Sequence, residues 1–172
     1  MSKHLIFKTV DEYVKAYEEF FKKHPDAPQT EDIECLNLIM KKEYATQIIE
    51  GTKKLEYRAY SDFYEKLLID KRVSEYLMDN IDNDEVVTFC NDVRQVKKIH
   101  FYSYSNTWYL DVEVDYNDVF SLVKRDIEML HENYGVHDYD EEYMMYEKMG
   151  VPENERPWIF YFSISKVLDT NL

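Results

Sequence analysis

Read for its apolar and polar positions, the chain opens on a helical stripe. Val10, Tyr13, Val14, Tyr17, Phe20 and Phe21 recur at the spacing of one helix face, behind a capping box made by Thr9 and Glu12. His24-Pro25 ends the stripe, because proline disfavours helical geometry in the residue before it. A polar stretch over 26–32, with Pro28 inside it, separates this helix from a main domain that starts near Cys35. The division read from this pattern is a helical extension over 1–34, packed on a core domain over 35–172. In that domain 36–40 reads as a short apolar strand, and 43–50 as a two-turn helix stopped by Gly51. Residues 53–60 alternate, with Leu55, Tyr57 and Ala59 on one face and Lys54, Glu56 and Arg58 on the other.

Further along, 61–80 reads as one helix with Phe63, Tyr64, Leu67 and Leu68 as its buried stripe. A hairpin follows, its arms at 99–104 and 108–116 around a turn at Ser105-Asn106. Trp108, Leu110, Val112 and Val114 alternate with Tyr109, Asp111, Glu113 and Asp115, which gives a strand with one apolar and one acidic face. The spacing of Val119, Phe120, Val123, Ile127 and Leu130 predicts an amphipathic helix over 117–133, ending near Gly135. An acidic helix over 139–149 and an interior strand over 158–165, apolar on both faces, complete the pattern. Strands and helices interleave irregularly with hairpin pairing, so the class is α+β around a small mixed sheet.

Composition narrows the picture. At 172 residues the chain suits one domain, and a chain near this size buries roughly 70% of its unfolded surface without staples. Its two cysteines, Cys35 and Cys90, stand far apart and outside any C-x-x-C pattern, as in ordinary thiols of a reducing compartment. No secretory leader is read from the first residues, and no apolar run approaches the about eighteen residues of a membrane span. The expectation is a cytoplasmic protein that makes no membrane contact. With 35 acidic against 21 basic side chains the formal net charge is −14, which repels phosphate backbones at long range and argues against loose nucleic-acid binding.

One strip departs from that acidity. Between Cys35 and Leu68 six basic residues stand against five acidic ones. Within it Gly51 frees the helix end, and Lys53 is a mobile ammonium at the junction of helix and strand. Glu56 and Arg58, two apart on a strand, project from the same face. Arg58 offers a planar fork of donors for phosphate or carboxylate. Glu56 can accept from the exocyclic amine of a base, or pair with Lys53 or Arg58 as a purely structural ion pair.

The run from Leu36 to Arg58, with Gly51, Lys53, Glu56 and Arg58 in the pattern G-x-K-x-x-E-x-R, resembles the opening of an ASCH domain. The resemblance implies a small mixed or antiparallel PUA-like β-barrel of about five or six strands with flanking helices. It implies RNA or a modified nucleoside or nucleotide as partner, held in a cleft beside the barrel by Lys53, Glu56 and Arg58, with Tyr57 and Tyr60 available to stack on a base. It implies no cofactor. Trp108, by its alternation, reads as core instead.

Two alternatives stand beside this reading. Some small ASCH proteins are amidohydrolases of N-acylated cytidine, using a lysine, a threonine nucleophile and a glutamate, and others are ribonucleases. The lysine falls on Lys53 and the glutamate on Glu113, but the threonine falls on Glu56, which could serve only as a base toward water. The other alternative is an acidic surface over Asp138, Asp140, Glu141, Glu142 and Glu147 that docks on a protein partner or mimics nucleic acid. His131, His137, Asp138 and Asp140 are metal-ligating types, but their spacing matches neither a helical H-x-x-x-H pair nor a calcium loop, so no metal is expected. His100, next to Phe101 on a strand, reads as a surface or packing residue.

Overall fold

The computed structural model describes residues 10–80 and 92–172. Thr9 of the capping box and Cys90 lie outside the described residues. Helix α1, Val10–Lys23, carries acidic residues in its first turn and Lys22 and Lys23 in its last, both favourable to the helix dipole. It ends before His24-Pro25 as the sequence predicts. Its Phe20 packs on Val73 and Leu77 of helix α4, Lys71–Asn80, and Tyr76 donates to Asp26 Oδ1 at 3.0 Å.

The strands are β1 Leu36–Ile39, β2 Leu55–Ala59, β3 Lys98–Tyr102, β4 Tyr109–Ser121 and β5 Trp158–Thr170. They form one sheet in the order β1-β3-β4-β5-β2, with β1 and β3 parallel and the other pairs antiparallel. β4 and β5 are each 13 residues long, and their pairing carries register shifts between Asp111 and Tyr116. Such bulges bend a strand and increase its twist, so the sheet curls into a half-barrel. Leu38, Ile99, Phe101, Leu110, Val112, Val119, Phe160 and Phe162 fill its inner face. The outer face carries Leu55, Phe120, Leu122, Ile159 and Tyr161, covered by Ile127, Met129 and Leu130. The edge strands β1 and β2 share no backbone ladder. Instead Arg58 Nη2 on β2 donates to the Ile39 carbonyl on β1 at 3.0 Å, bridging the open seam with a side chain. The α+β class and the small mixed barrel-like sheet are therefore as predicted, with the barrel left half open.

Three local expectations are corrected. The helix expected over 61–80 is two, α3 Asp62–Leu68 and α4. Between them Ile69 bridges Val93 in an antiparallel pair, and the Asp70 carboxylate accepts from the Arg72 backbone N–H at 3.2 Å as the new helix begins. Phe63, expected in the buried stripe, is 67% exposed. Its position serves only α3, whose inward residue is Leu68.

The helix expected over 117–133 is strand as far as Ser121, because Val119 and Phe120 pair with Phe160 and Ile159 on opposite faces of the sheet. Burial on both faces erases the period-two signal and leaves an apolar run that also fits a helix. Asn117 shows what the strand does there. Its side chain accepts from Val96 N at 2.8 Å and donates to the Arg94 carbonyl at 2.9 Å, standing in for a ladder the neighbouring segment lacks. Only 124–134 is helical, as α5 Lys124–Met129 and a π-helical turn Leu130–Tyr134. Among the described residues no helix is long and apolar enough to cross a membrane.

Candidate functional site

Helix α2, Lys42–Glu50, ends on Gly51 at φ 80°, a left-handed conformation that glycine adopts without strain. The Gln47 carbonyl then accepts from Thr52 N at 3.0 Å and from Lys53 N at 3.1 Å, which fixes the turn that delivers Lys53 to the start of β2. On β2, Glu56 pairs with Phe162 and Arg58 with Phe160, so both charged side chains point toward the inner core. The predicted alternation therefore places them on one face, but that face is the covered one. Glu56 is only 5% exposed.

A buried carboxylate must be paired. Glu56 Oε1 accepts from Arg58 Nη1, and Oε2 lies 3.3 Å from Lys53 Nζ. Arg58 also donates to the Tyr57 carbonyl at 3.0 Å, so three of its five N–H groups are engaged within the chain. The Lys53 ammonium stands over two aromatic rings, 5.4 Å from the Tyr44 centroid and 5.2 Å from that of Tyr57. These residues surround a cavity of about 440 Å³ at the seam between β1 and β2, within the range of small-ligand sites.

The far wall comes from the start of helix α6, Asp140–Lys148, and the residues before it: Asp138, Tyr139 and Glu142 line the same cavity. Tyr57 donates to Asp138 Oδ2 at 2.7 Å across 81 residues of sequence, and meets the Tyr139 ring edge-on at 5.0 Å. Burial, with the hydrogen bond to the Asp138 carboxylate, pushes the Tyr57 hydroxyl well above its ordinary pKa. Burial, with Glu142 and Asp138 nearby, pushes Tyr139 up to about 12. Both rings are neutral at any physiological pH.

The structure thus brings Lys53, Glu56, Arg58 and Tyr57 together. It does not bring Glu113 to them. Val112 and Val114 enter the inner core from β4, so Glu113 between them faces outward, is exposed, and accepts from Ser165 Oγ at 2.9 Å. Tyr60 is also outside the cavity lining: it stacks on Phe160 at 5.0 Å with the rings 10° from parallel, as part of the core. Trp108 is buried in that core as expected.

Tyr44, Asp138, Tyr139 and Glu142 were not among the predicted site residues. Tyr44 had a signal, being on the helix that leads into the motif. The other three had none, because only the fold joins them to β2. Of the acidic run, Asp138 is taken by Tyr57, Asp140 by His131 and His137, and Glu147 by Arg156 at 2.7 Å.

The family model for the ASCH domain matches residues 38–170, which runs from within β1 to the end of β5 and includes every wall of the cavity. The chain belongs to the ASCH domain family. This family is associated with RNA binding. Among solved structures, a mutant of the ASCH protein ZmASCH from Zymomonas mobilis is similar at 11% identity and TM-score 0.39, over 79% of this chain and 70% of that one. A DUF984 protein from Enterococcus faecalis is similar at 10% identity and TM-score 0.38, over 94% and 91%. At those scores neither superposition supports a residue-by-residue correspondence. None of the curated proteins matches this ASCH chain.

Proposed function

We propose that this ASCH domain binds one unstacked nucleotide, as part of single-stranded RNA or free, in the cavity at the β1–β2 seam. The observation that carries the reading is the Lys53 ammonium standing over the Tyr44 and Tyr57 rings in the lining of a cavity of about 440 Å³. A cation beside aromatic faces suits a ligand that combines an anionic phosphate with a flat base. Lys41 and Arg58 on the same wall add positive charge, while Glu142 opposite can accept from an exocyclic amine. The strongly acidic remainder of the chain disfavours long polyanions, so recognition is confined to this one strip. Hydrolysis finds less support, because both oxygens of Glu56 already face cations and Glu113 is turned away.

Tyr44 is 40% exposed and can be truncated without opening the core. Stacking on one base is worth about 1–3 kcal/mol, so Tyr44→Ala should weaken binding of a short single-stranded RNA about 5- to 150-fold in fluorescence anisotropy. Lys53→Met should weaken it further and flatten its salt dependence. Equal binding by wild type and both variants, or no binding of any RNA or mononucleotide, would refute the reading.

A further inference from the structure

A second cluster lies behind the cavity wall, on residues the nucleotide reading does not use. His131 sits in the π-helical turn that follows α5, Gly135 at φ 65° reverses the chain, and Asp140 opens α6. The reversal returns His137 onto His131, with ring centroids 4.2 Å apart. His131 Nε2 lies 2.6 Å from Asp140 Oδ1, and His137 Nδ1 lies 2.9 Å from Asp140 Oδ2. The three candidate ligand atoms all fall within 4.8 Å of one another. The sequence spacing hid this convergence, because a π turn, a left-handed glycine and a helix start assemble it, not a single helix face. π turns of this kind occur frequently at functional sites.

We propose that His131 Nε2, His137 Nδ1 and the Asp140 carboxylate form a binding site for a late first-row divalent cation, with Zn²⁺ its physiological occupant. Two imidazoles and one carboxylate are the donor set that Zn²⁺ takes in three-ligand sites, with the fourth position left to water. The same set is too poor in oxygen for Ca²⁺ or Mg²⁺. The two imidazoles lie side by side, their centroids 4.2 Å apart, and each presents one nitrogen to the same carboxylate, so a cation that replaces the bridging protons meets all three groups. A depression of about 320 Å³ lined by His131 and Asp140, with Lys124, Glu128 and Tyr143, opens that side of the cluster to water. Asp138 and Tyr139 lie between His137 and Asp140 in the chain and line the cavity, so a bound cation would brace the wall that Tyr57 leans on. The metal site does not depend on what the cavity binds.

Titration calorimetry of the full chain tests it. The exposed Cys35 thiol is a competing zinc ligand, so Cys35→Ser, Cys90→Ser protein is the reference. It should bind one Zn²⁺ per chain at micromolar or tighter Kd, with Mg²⁺ and Ca²⁺ giving no heat. His131→Ala, His137→Ala and Asp140→Asn should each weaken Zn²⁺ at least about tenfold, and Co²⁺ should give the visible bands of a four-coordinate ion that these variants abolish. His137 is 66% exposed, so its variant folds even if the other two do not. Absence of binding in the reference protein, or unchanged affinity and Co²⁺ bands in His137→Ala, would overturn the proposal.

Discussion

Glu56 and Asp140 each stand between two nitrogen groups of the chain, Glu56 between Lys53 and Arg58, Asp140 between His131 and His137. The first cluster is nearly dry: Glu56 is 5% exposed and its partners no more than 19%. Asp140 is 34% exposed, and His137 far more. The partners differ as well. Lys and Arg keep their charge at every physiological pH, so Glu56 is locked by permanent cations and the cluster acts as wall and seam. Imidazole nitrogens, unlike ammonium or guanidinium groups, can offer a lone pair to a metal, so the Asp140 cluster can take another cation. Burial and partner type together distinguish the two carboxylates: Glu56 is held by the cations that line the cavity, and Asp140 is reachable by a metal ion.

The largest effect that would break this comparison is at Glu56. Glu56→Gln leaves two poorly solvated cations facing a neutral amide, and removing one partner of a buried pair costs about 3–5 kcal/mol. Urea unfolding should show that loss, while a wild-type midpoint in the variant would mean the cluster is wetter than described. A third carboxylate sharpens the scale. Burial at Asp70 works to raise its pKa, and hydrogen bonds from Arg72 and from the Glu31 backbone N–H overcome it, so the carboxyl lies below its ordinary value.

A depressed folded-state pKa gives stability that is present above the unfolded value, about 3.9, and is lost as pH falls through the folded one. Asp70→Asn keeps a capping oxygen but loses the charge and one acceptor, and should therefore cost about 0.5–1.5 kcal/mol at neutral pH, the net worth of one hydrogen bond. The gap to wild type should persist down to about pH 5 and close only below about pH 4. A gap that widened on acidification would contradict the assignment. Smallest of all, Asp140→Asn in metal-free protein should cost about 0–1 kcal/mol, as for an exposed ion pair. A loss as large as that at Glu56 would make the two triads alike.

How far these features were legible follows from the distances over which they are built. The G-x-K-x-x-E-x-R strip is local: helix end, turn and strand fall within eight residues, and Gly51, Lys53, Glu56 and Arg58 sit where that reading places them. The hairpin turn was equally local, with Asn106 at φ 58° in the left-handed region that asparagine tolerates. What escaped depends on pairing across the chain. Val119 and Phe120 look helical until β5 is laid beside them, since a strand buried on both faces loses its alternation. The Ser61–Asn80 stretch breaks because Ile69 and Asp70 find partners at Val93, Arg72 and Glu31. The Tyr57–Asp138 bond joins the strip to a segment 81 residues away. Glu113 escapes for the complementary reason: its alternation is plain in the sequence, but the face it occupies is not the face of Glu56.

The most direct test of the account is a two-step titration of the full chain followed by amide nuclear magnetic resonance, adding a short single-stranded RNA first and Zn²⁺ second. The account predicts that RNA shifts the signals of Lys41, Tyr44, Lys53 and Tyr57, and that Zn²⁺ then shifts those of His131, His137 and Asp140. RNA-induced shifts that leave Lys41, Tyr44 and Lys53 untouched would contradict it.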